Sequence, residues 1–338
     1  MIIVTGGAGF IGSNIVKALN DRGEDDILIV DHIGKGEKFK NLLGLKFLEL
    51  QSKESFESDI NDEVFRDILG GSPIDCIMHM GACSDTMNYD GDYMIENNYE
   101  YTKQLMTFCM QYDIPLIYAS SASTYGLGSK GFREVPECED ALNLYAFSKL
   151  LFDRYLRQNQ NLPHKNEFKT PIIGVRFFNV YGPQEHHKGR MASIFYQMYN
   201  QLKRDGVIRL FKGIDGVADG EQRRDFIYVK DAVKICLWFF DQLCNEDAEP
   251  IDGGIYNCGT GHAHSYNEAA RAMIREFGRG EIEYIDFPDE LRGKYQNFTQ
   301  ADTTKLLDAG YDGGFTQLDE AVADYVKLLE KNGGYFFD

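Results

Sequence analysis

Tyr145 and Lys149 stand four residues apart in a segment with helical spacing. Four residues is about one helical turn, so a phenol and an ammonium would leave the same face, where the positive charge favours phenolate and lowers the tyrosine pKa. A phenol so poised moves protons near neutral pH. The spacing alone also suits an ordinary amphipathic helix surface, so the chemistry depends on a second site. That site opens the chain. Met1 to Thr5 reads as a buried strand running into Gly6-Gly7-Ala8-Gly9-Phe10-Ile11-Gly12. Glycines at this spacing permit a tight strand-to-helix turn and a close approach of backbone to a pyrophosphate, which the following helix N-terminus favours. Ile11, Ile15 and Leu19 continue at helical spacing, and Gly23 closes the helix. Ile27 to Val30 forms a second apolar strand ending in Asp31, 19 residues beyond Gly12, where a dinucleotide fold places its ribose-binding carboxylate.

The elements that must position these residues follow the same rhythm. Apolar segments at Ile74 to Met80, Pro115 to Ser120 and Pro171 to Phe177 alternate with helical stretches at Tyr99 to Tyr112 and Leu144 to Gln158. Such alternation predicts an α/β fold with a doubly wound parallel sheet of the Rossmann type, whose ligands cross the carboxyl ends of the strands. Beyond about residue 180 the loops lengthen, notably Gly213 to Arg224. A last amphipathic helix is marked by Leu318, Ala321, Val322, Tyr325 and Leu329. The expected division is a dinucleotide-binding domain over residues 1–180 and a smaller mixed α/β substrate-binding region over 181–338, with some chain crossing back. No Ser/Pro-rich linker separates them, and the active site is expected in the cleft between.

Composition narrows the partners. The chain has 338 residues, 43% of them hydrophobic, and a formal charge of −18, which disfavours nucleic acid and anionic membrane surfaces. Met1 leads straight into the first strand without a basic, cleavable leader. The strongest later apolar run, Ile235 to Phe240, is too short to span a bilayer. A cytoplasmic location is expected. Seven cysteines without a C-x-x-C pair fit free thiols in a reducing compartment. His186-His187 and His262-x-His264 lack the spacing of a zinc site and read as polar loop residues, so no metal is expected.

The T-G-G-x-G-x-x-G start, the S-S-x-x-x-Y-G segment at residues 120–126 and the Y-x-x-x-K helix together resemble the extended short-chain dehydrogenase/reductase family over nearly the whole chain. The resemblance implies that Tyr145 is the acid/base, that Lys149 holds the nicotinamide ribose and tunes the tyrosine, and that Ser121 hydrogen-bonds the reacting oxygen. Ser120, Ser123 and Thr124 read as strand-end hydroxyls capping backbone groups.

A denser resemblance joins the chain to the branch of that family that epimerises an ADP-linked heptose of the lipopolysaccharide core at C6. It is carried by residues 1–14, G-A-C-S at 81–84, Asn97-Asn98-Tyr99, A-S-S-A-S-T-Y-G at 119–126, and F-N-V-Y-G-P at 178–183. His187-Lys188-Gly189, Met191-Ala192-Ser193, Arg224-Asp225-Phe226 and the run from Gly293 to Asp302 extend it. The implied reaction is redox-neutral: bound cofactor oxidises C6 to a ketone, and the same hydride returns to the other face. One base cannot serve both faces, and Lys188 is the implied second acid/base. The cofactor contacts implied are Gly6, Gly9, Phe10, Ile11, Gly12, Asp31, His32, Lys38, Lys53, Met80, Gly81, Ala82, Cys83, Ser84, Asn97, Lys149 and Val180.

For the substrate the resemblance implies Asn179, Arg224 and Tyr295, with Phe211, Lys212, Gly213 and Ile214 near the adenosine end. A guanidinium can hold a pyrophosphate bidentately, although Arg224-Asp225 also reads as a surface ion pair. Arg190 and Gln197, matched as substrate contacts, depart from the serine and histidine of the pattern, and the acidic loop from Ile214 to Gln222 is longer than it. Asp31 alone favours the 2′-hydroxyl of NAD, whereas the resemblance implies NADP, with Lys38 and Lys53 to screen the acid and pair with a phosphate. It also implies a homo-oligomer, a pentamer. A nucleotide-sugar 4-epimerase shares every cofactor motif. A 4,6-dehydratase would carry an Asp-Glu pair where Ala122-Ser123 stands, and a non-catalytic dinucleotide sensor would not need Tyr145, Lys149 and Ser121 together.

Overall fold

The computed structural model describes residues 1–61, 73–160, 171–245, 247–289 and 295–337. Its chain order begins β1 (Ile2–Thr5), α1 (Phe10–Asp21), β2 (Ile27–Val30), β3 (Glu49–Gln51), α2 (Lys53–Asn61), β4 (Cys76–His79), α3 (Tyr101–Tyr112), β5 (Leu116–Ser121), α4 (Leu144–Gln160) and β6 (Ile172–Phe177). It continues with β7 (Asn179–Tyr181), α5 (Ile194–Asp205), β8 (Val207–Phe211), β9 (Arg223–Tyr228), α6 (Val229–Cys244), β10 (Gly254–Cys258), β11 (Ala263–Ser265), α7 (Tyr266–Phe277), β12 (Glu281–Ile285) and α8 (Leu318–Asn332). Among the described residues no helix is long and apolar enough to cross a membrane.

Two compact units interleave along the chain. The first comprises Met1–Ser121, Asn143–Arg176 and Val233–Tyr256. It holds, but for the last residues of β6 and β10, a seven-stranded sheet in the order β10-β6-β5-β4-β1-β2-β3, with β1–β2, β1–β4, β2–β3 and β4–β5 parallel. This is the doubly wound α/β sheet that the strand and helix rhythm predicts. Strands β1, β2 and β4 are buried at every position, as continuous apolar runs covered on both faces must be. Their side chains join Leu105 and Met106 of α3 and Phe152 and Leu156 of α4 in one cluster. Full burial of each such aliphatic or aromatic side chain contributes about 1.5–3 kcal/mol.

The second unit comprises Ala122–Leu142, Phe177–Ala232 and Asn257–Asp338. A three-stranded sheet, β11-β9-β7, and a two-stranded one, β12-β8, are packed with α5, α7 and α8. Helix α7 starts at a capping box, where Ser265 and Glu268 satisfy each other's backbone N–H, and ends at Gly278 with φ +81°. Helix α8 buries Ala321, Val322, Tyr325 and Leu329, four of the five residues of its expected stripe.

The predicted helix from Tyr99 differs at its start. Helical backbone begins at Gly91, and Glu96–Glu100 forms a π-helical turn before α3. A π turn adds one residue to the ladder and rotates the side chains before it, a displacement that period counting does not register.

Candidate active site

In the first unit the glycines of the opening turn are required by contact. Gly6 has φ +67°, and a Cβ there would lie 2.6 Å from the Gly81 nitrogen. A Cβ on Gly12 would lie 2.1 Å from the Gly6 carbonyl oxygen. The turn after β1 and the segment after β4 therefore touch backbone to backbone. Gly9 caps α1 without a side-chain acceptor, and no acid stands in the helix's first turn. A cradle of this kind fits the pyrophosphate of a dinucleotide, since an anion meets backbone N–H groups and the positive end of the helix dipole. Phe10 is buried and Ile11 half-buried on α1.

Asp31, at the end of β2, accepts the Ala8 N–H at 2.9 Å, the His32 N–H at 2.7 Å and the Lys38 ammonium at 2.5 Å. Lys38 thus neutralises the acid where a ribose would lie. Lys53 is directed elsewhere: its Nζ donates to Asn97 Oδ1 at 3.0 Å, lies 3.8 Å from Glu57 and sits 4.7 Å from the centre of the Tyr101 ring. His32 is exposed, 3.0 Å from Glu54. Past β4, Met80 and Gly81 are tied to Thr5 through its carbonyl and its hydroxyl. Ala82 and Ser84 are exposed, while the Cys83 backbone is gripped at both N–H and C=O by the Asn98 amide, which also donates to Ser148 on α4. Asn98 escaped the sequence reading because only the π turn aims it inward.

Tyr145, on the first turn of α4, is half-buried and hydrogen-bonded by Ser121 at the end of β5. Lys149, one turn on, is buried and donates to the Ala119 carbonyl at 2.8 Å. The expected downward pull of Lys149 on the tyrosine is not what the structure has. Burial pushes the Tyr145 phenol up, and the opposing influence is the Ser121 hydrogen bond, because the ammonium is turned to the strand carbonyl. Burial brings Lys149 itself down to about 8, with Asp153 and then Cys83 opposing.

In the second unit, Lys188 lies on the 3₁₀ turn His186–Met191, half-buried. Burial lowers its ammonium and Glu185 pulls it back. Glu185 is fully buried and accepts the Ser193 N–H, the Ser193 hydroxyl at 2.7 Å, the Tyr325 hydroxyl at 2.9 Å and the Gly182 N–H at 3.3 Å. Gly189, at φ +53°, breaks the turn, and Gln197 reaches back to its carbonyl at 3.0 Å. Gln197 therefore closes the lysine's loop. Arg190 is exposed on the same turn.

Arg224 is buried, its guanidinium 4.9 Å from the Tyr295 ring centre and 5.7 Å from that of Tyr266. The surface ion pair that Arg224-Asp225 suggests does not form: Asp225 accepts instead from Thr260, Gly261 and Ala301, since adjacent strand residues face opposite ways. Tyr295 packs edge-on to Phe211 and Phe287, at 6.4 and 5.3 Å between ring centres. Asn179 is exposed on β7 and accepts from Thr299 at 3.3 Å, and Val180 is half-buried beside it, paired with Ile227 of β9. The loop after β8 doubles back on its own strand. Gly220 donates to the Phe211 carbonyl, Gly213 to Asp219, and Lys212 pairs with Asp286 on the exposed side. Ile214 is half-buried in it. Gly293 and Lys294 lie outside the described residues.

Residues 2–259 match the NAD dependent epimerase/dehydratase family. The chain is 48% identical over 335 residues to an ADP-L-glycero-D-manno-heptose-6-epimerase of Brachyspira hyodysenteriae, covering 99% of both chains. It is 47% identical to the enzyme of that name from Alkalilimnicola ehrlichii, covering 97% of both. Among solved structures it is similar to the Helicobacter pylori ADP-L-glycero-D-manno-heptose-6-epimerase, with a TM-score of 0.77 at 28% identity, over 98% of this chain and 96% of that one.

Proposed function

Because the chain belongs to the NAD dependent epimerase/dehydratase family, we propose that it converts ADP-D-glycero-D-manno-heptose to ADP-L-glycero-D-manno-heptose by inverting C6. The observation that carries this reading is near-complete coverage at close to half identity to two enzymes of that name. A nicotinamide dinucleotide is the cofactor, and when bound it accepts and returns the hydride. The chain's own residues do the rest. The turn from Gly6 to Gly12 cradles the pyrophosphate. Tyr145 acts as the acid/base of the C6 hydroxyl: as phenolate it takes that proton in the oxidation, and as phenol it gives one back in the reverse sense. Ser121 holds the reacting oxygen, and its hydrogen bond opposes the upward push of burial on the phenol. Lys149 holds the ribose, and Lys188 is the second acid/base, whose lowered ammonium suits proton transfer. Arg224 offers its planar fork to the substrate diphosphate, with Tyr295 and Phe211 beside it and Asn179 at the sugar.

The cofactor we propose is NADP. The neutralisation of Asp31 by Lys38 supports it, because a bare carboxylate there would repel a 2′-phosphate. Lys53, held by Asn97, must leave that amide to reach a phosphate. The composition supports a cytoplasmic location, and the family resemblance supports a homo-oligomer. Purified protein offered the ADP-linked heptose and UDP-glucose side by side should epimerise the heptose alone, and turnover of UDP-glucose alone would refute the reading. Nucleotide released on denaturation should have the mass of NADP.

A further inference from the structure

Asp153 lies one helical turn beyond Lys149 and two beyond Tyr145, so the three leave α4 along one face. They meet β5 in reverse order. Tyr145 is bonded to Ser121, Lys149 to the Ala119 carbonyl at 2.8 Å, and Asp153 to the Ser120 hydroxyl at 2.7 Å and the Tyr118 hydroxyl at 2.8 Å. Tyr118 and Ser120, two apart on a strand, share the face turned to α4. The carboxylate therefore fixes both neighbours of the one carbonyl that Lys149 uses. Arg176 of β6 completes the cluster at 2.5 Å, with both charged side chains fully buried. Packing gives little reason for such a cluster, since apolar residues of similar volume often replace a buried ion pair without loss of stability. Ser120, read from the sequence as a backbone cap, is instead a ligand of this carboxylate.

We propose that Asp153 is the positioning residue of the Tyr145/Lys149 pair. It holds β5 against α4 in the register that brings Ser121 to Tyr145 and the Ala119 carbonyl to Lys149, and it places a buried negative charge one turn from the lysine. The proposal rests on the acid/base reading of Tyr145, but its main consequence is a property of Lys149 alone. Of the titratable groups around that ammonium, Asp153 on its own helix is the strongest to favour the cation, followed by Cys83 after β4. His79 on β4 is kept neutral by burial, with the charges of Lys149 and Lys53 adding to that effect. Tyr145 stays a neutral phenol, and Arg176 is matched by Asp153 itself.

The test is a titration of the cofactor-free, full-length protein labelled with carbon-13 at the lysine ε-carbons, with the Lys149 resonance identified by its loss in Lys149→Arg. In Asp153→Asn the midpoint should fall by about one pH unit or more, the effect of removing a close opposite charge. Asp153→Glu should restore much of it. A merely structural role would lower thermal stability and leave the midpoint in place, and an unchanged midpoint in folded Asp153→Asn overturns the proposal. Should that variant fail to fold, Tyr118→Phe combined with Ser120→Ala keeps the buried ion pair and removes only the clamp. It should lower kcat by about tenfold or more, with KM for the sugar held. Unchanged kcat in that double variant overturns the proposal equally. Wild-type protein inactive on the heptose, with the midpoint shifted as expected, would sink the proposed function and leave the role of Asp153 standing.

Discussion

Lys149 and Lys188 are alike in charge balance and unlike in support. Each ammonium is lowered by burial, and each is pulled back by a buried carboxylate, Asp153 for the first and Glu185 for the second. Lys149 stands on a 17-residue helix laid against the sheet, and its partners lie within about 35 residues along the chain, at strand and helix spacing. Lys188 stands on a six-residue 3₁₀ turn broken by Gly189, whose shape depends on Gln197, on Ser193 and on Tyr325, 140 residues from Glu185. A regular helix fixes a side chain by its period, whereas a short turn holds one only if distant residues close it. The first lysine is suited to a fixed task such as holding a ribose, and the second sits where small changes in the turn re-aim it.

The largest loss of activity is expected at Tyr145. Tyr145→Phe removes one hydroxyl from the rigid side and should lower epimerisation by about 10²- to 10⁴-fold while cofactor binding and thermal stability stay near wild type. Cofactor titration by fluorescence and turnover of each epimer check both halves, and undiminished turnover would remove the tyrosine from the chemistry. Lys188→Ala should cost about 10²-fold, with an asymmetry. Starting from the epimer whose hydroxyl Tyr145 deprotonates, the cofactor should still be reduced in a half-reaction visible by its absorbance, while conversion fails. Equal failure from both epimers, with no reduced cofactor, would assign both proton transfers to Tyr145.

The difference between the two lysines also explains what the sequence discloses. The glycine turn, the end of β2 at Asp31 and the one-turn spacing of Tyr145 and Lys149 all follow from the periods of strand and helix, which the residue types reveal directly. The phenol's upward shift does not, because it depends on what covers the ring and on where the ammonium points. Asn98 was hidden for a related reason: it adjoins Asn97, and only the π turn sends one asparagine to Cys83 and the other to Lys53. Asp153 carried a visible signal, a second four-residue step after Lys149, yet its meaning required knowing that Tyr118 and Ser120 face it. In the second unit, Gln197 reads in sequence as a departure from a substrate contact, and its bond to the Gly189 carbonyl is visible only in the folded turn.

The smallest effect is expected at the carboxylate that closes the second lysine's turn, in Glu185→Gln. The amide keeps the volume but points an N–H₂ toward donors that need an acceptor, Ser193 and the Tyr325 hydroxyl among them, and should cost about 1–3 kcal/mol in urea unfolding. Burial raises the Glu185 carboxyl above the ordinary glutamate range, despite its hydrogen bonds. A raised folded-state pKa means that the folded chain binds a proton more tightly than the unfolded one. Its contribution is therefore fully present below the unfolded pKa and is lost as pH rises through the folded value. The stability gap between wild type and Glu185→Gln should accordingly be widest at the acid end and narrow toward neutral pH. Loss of the carboxylate also removes the charge that pulls the Lys188 ammonium up, so the lysine should titrate lower in the variant. A Lys188 titration that stays put, with the turn still closed, would mean that burial alone sets the second lysine, and that unlike Lys149 it has no counter-charge of its own.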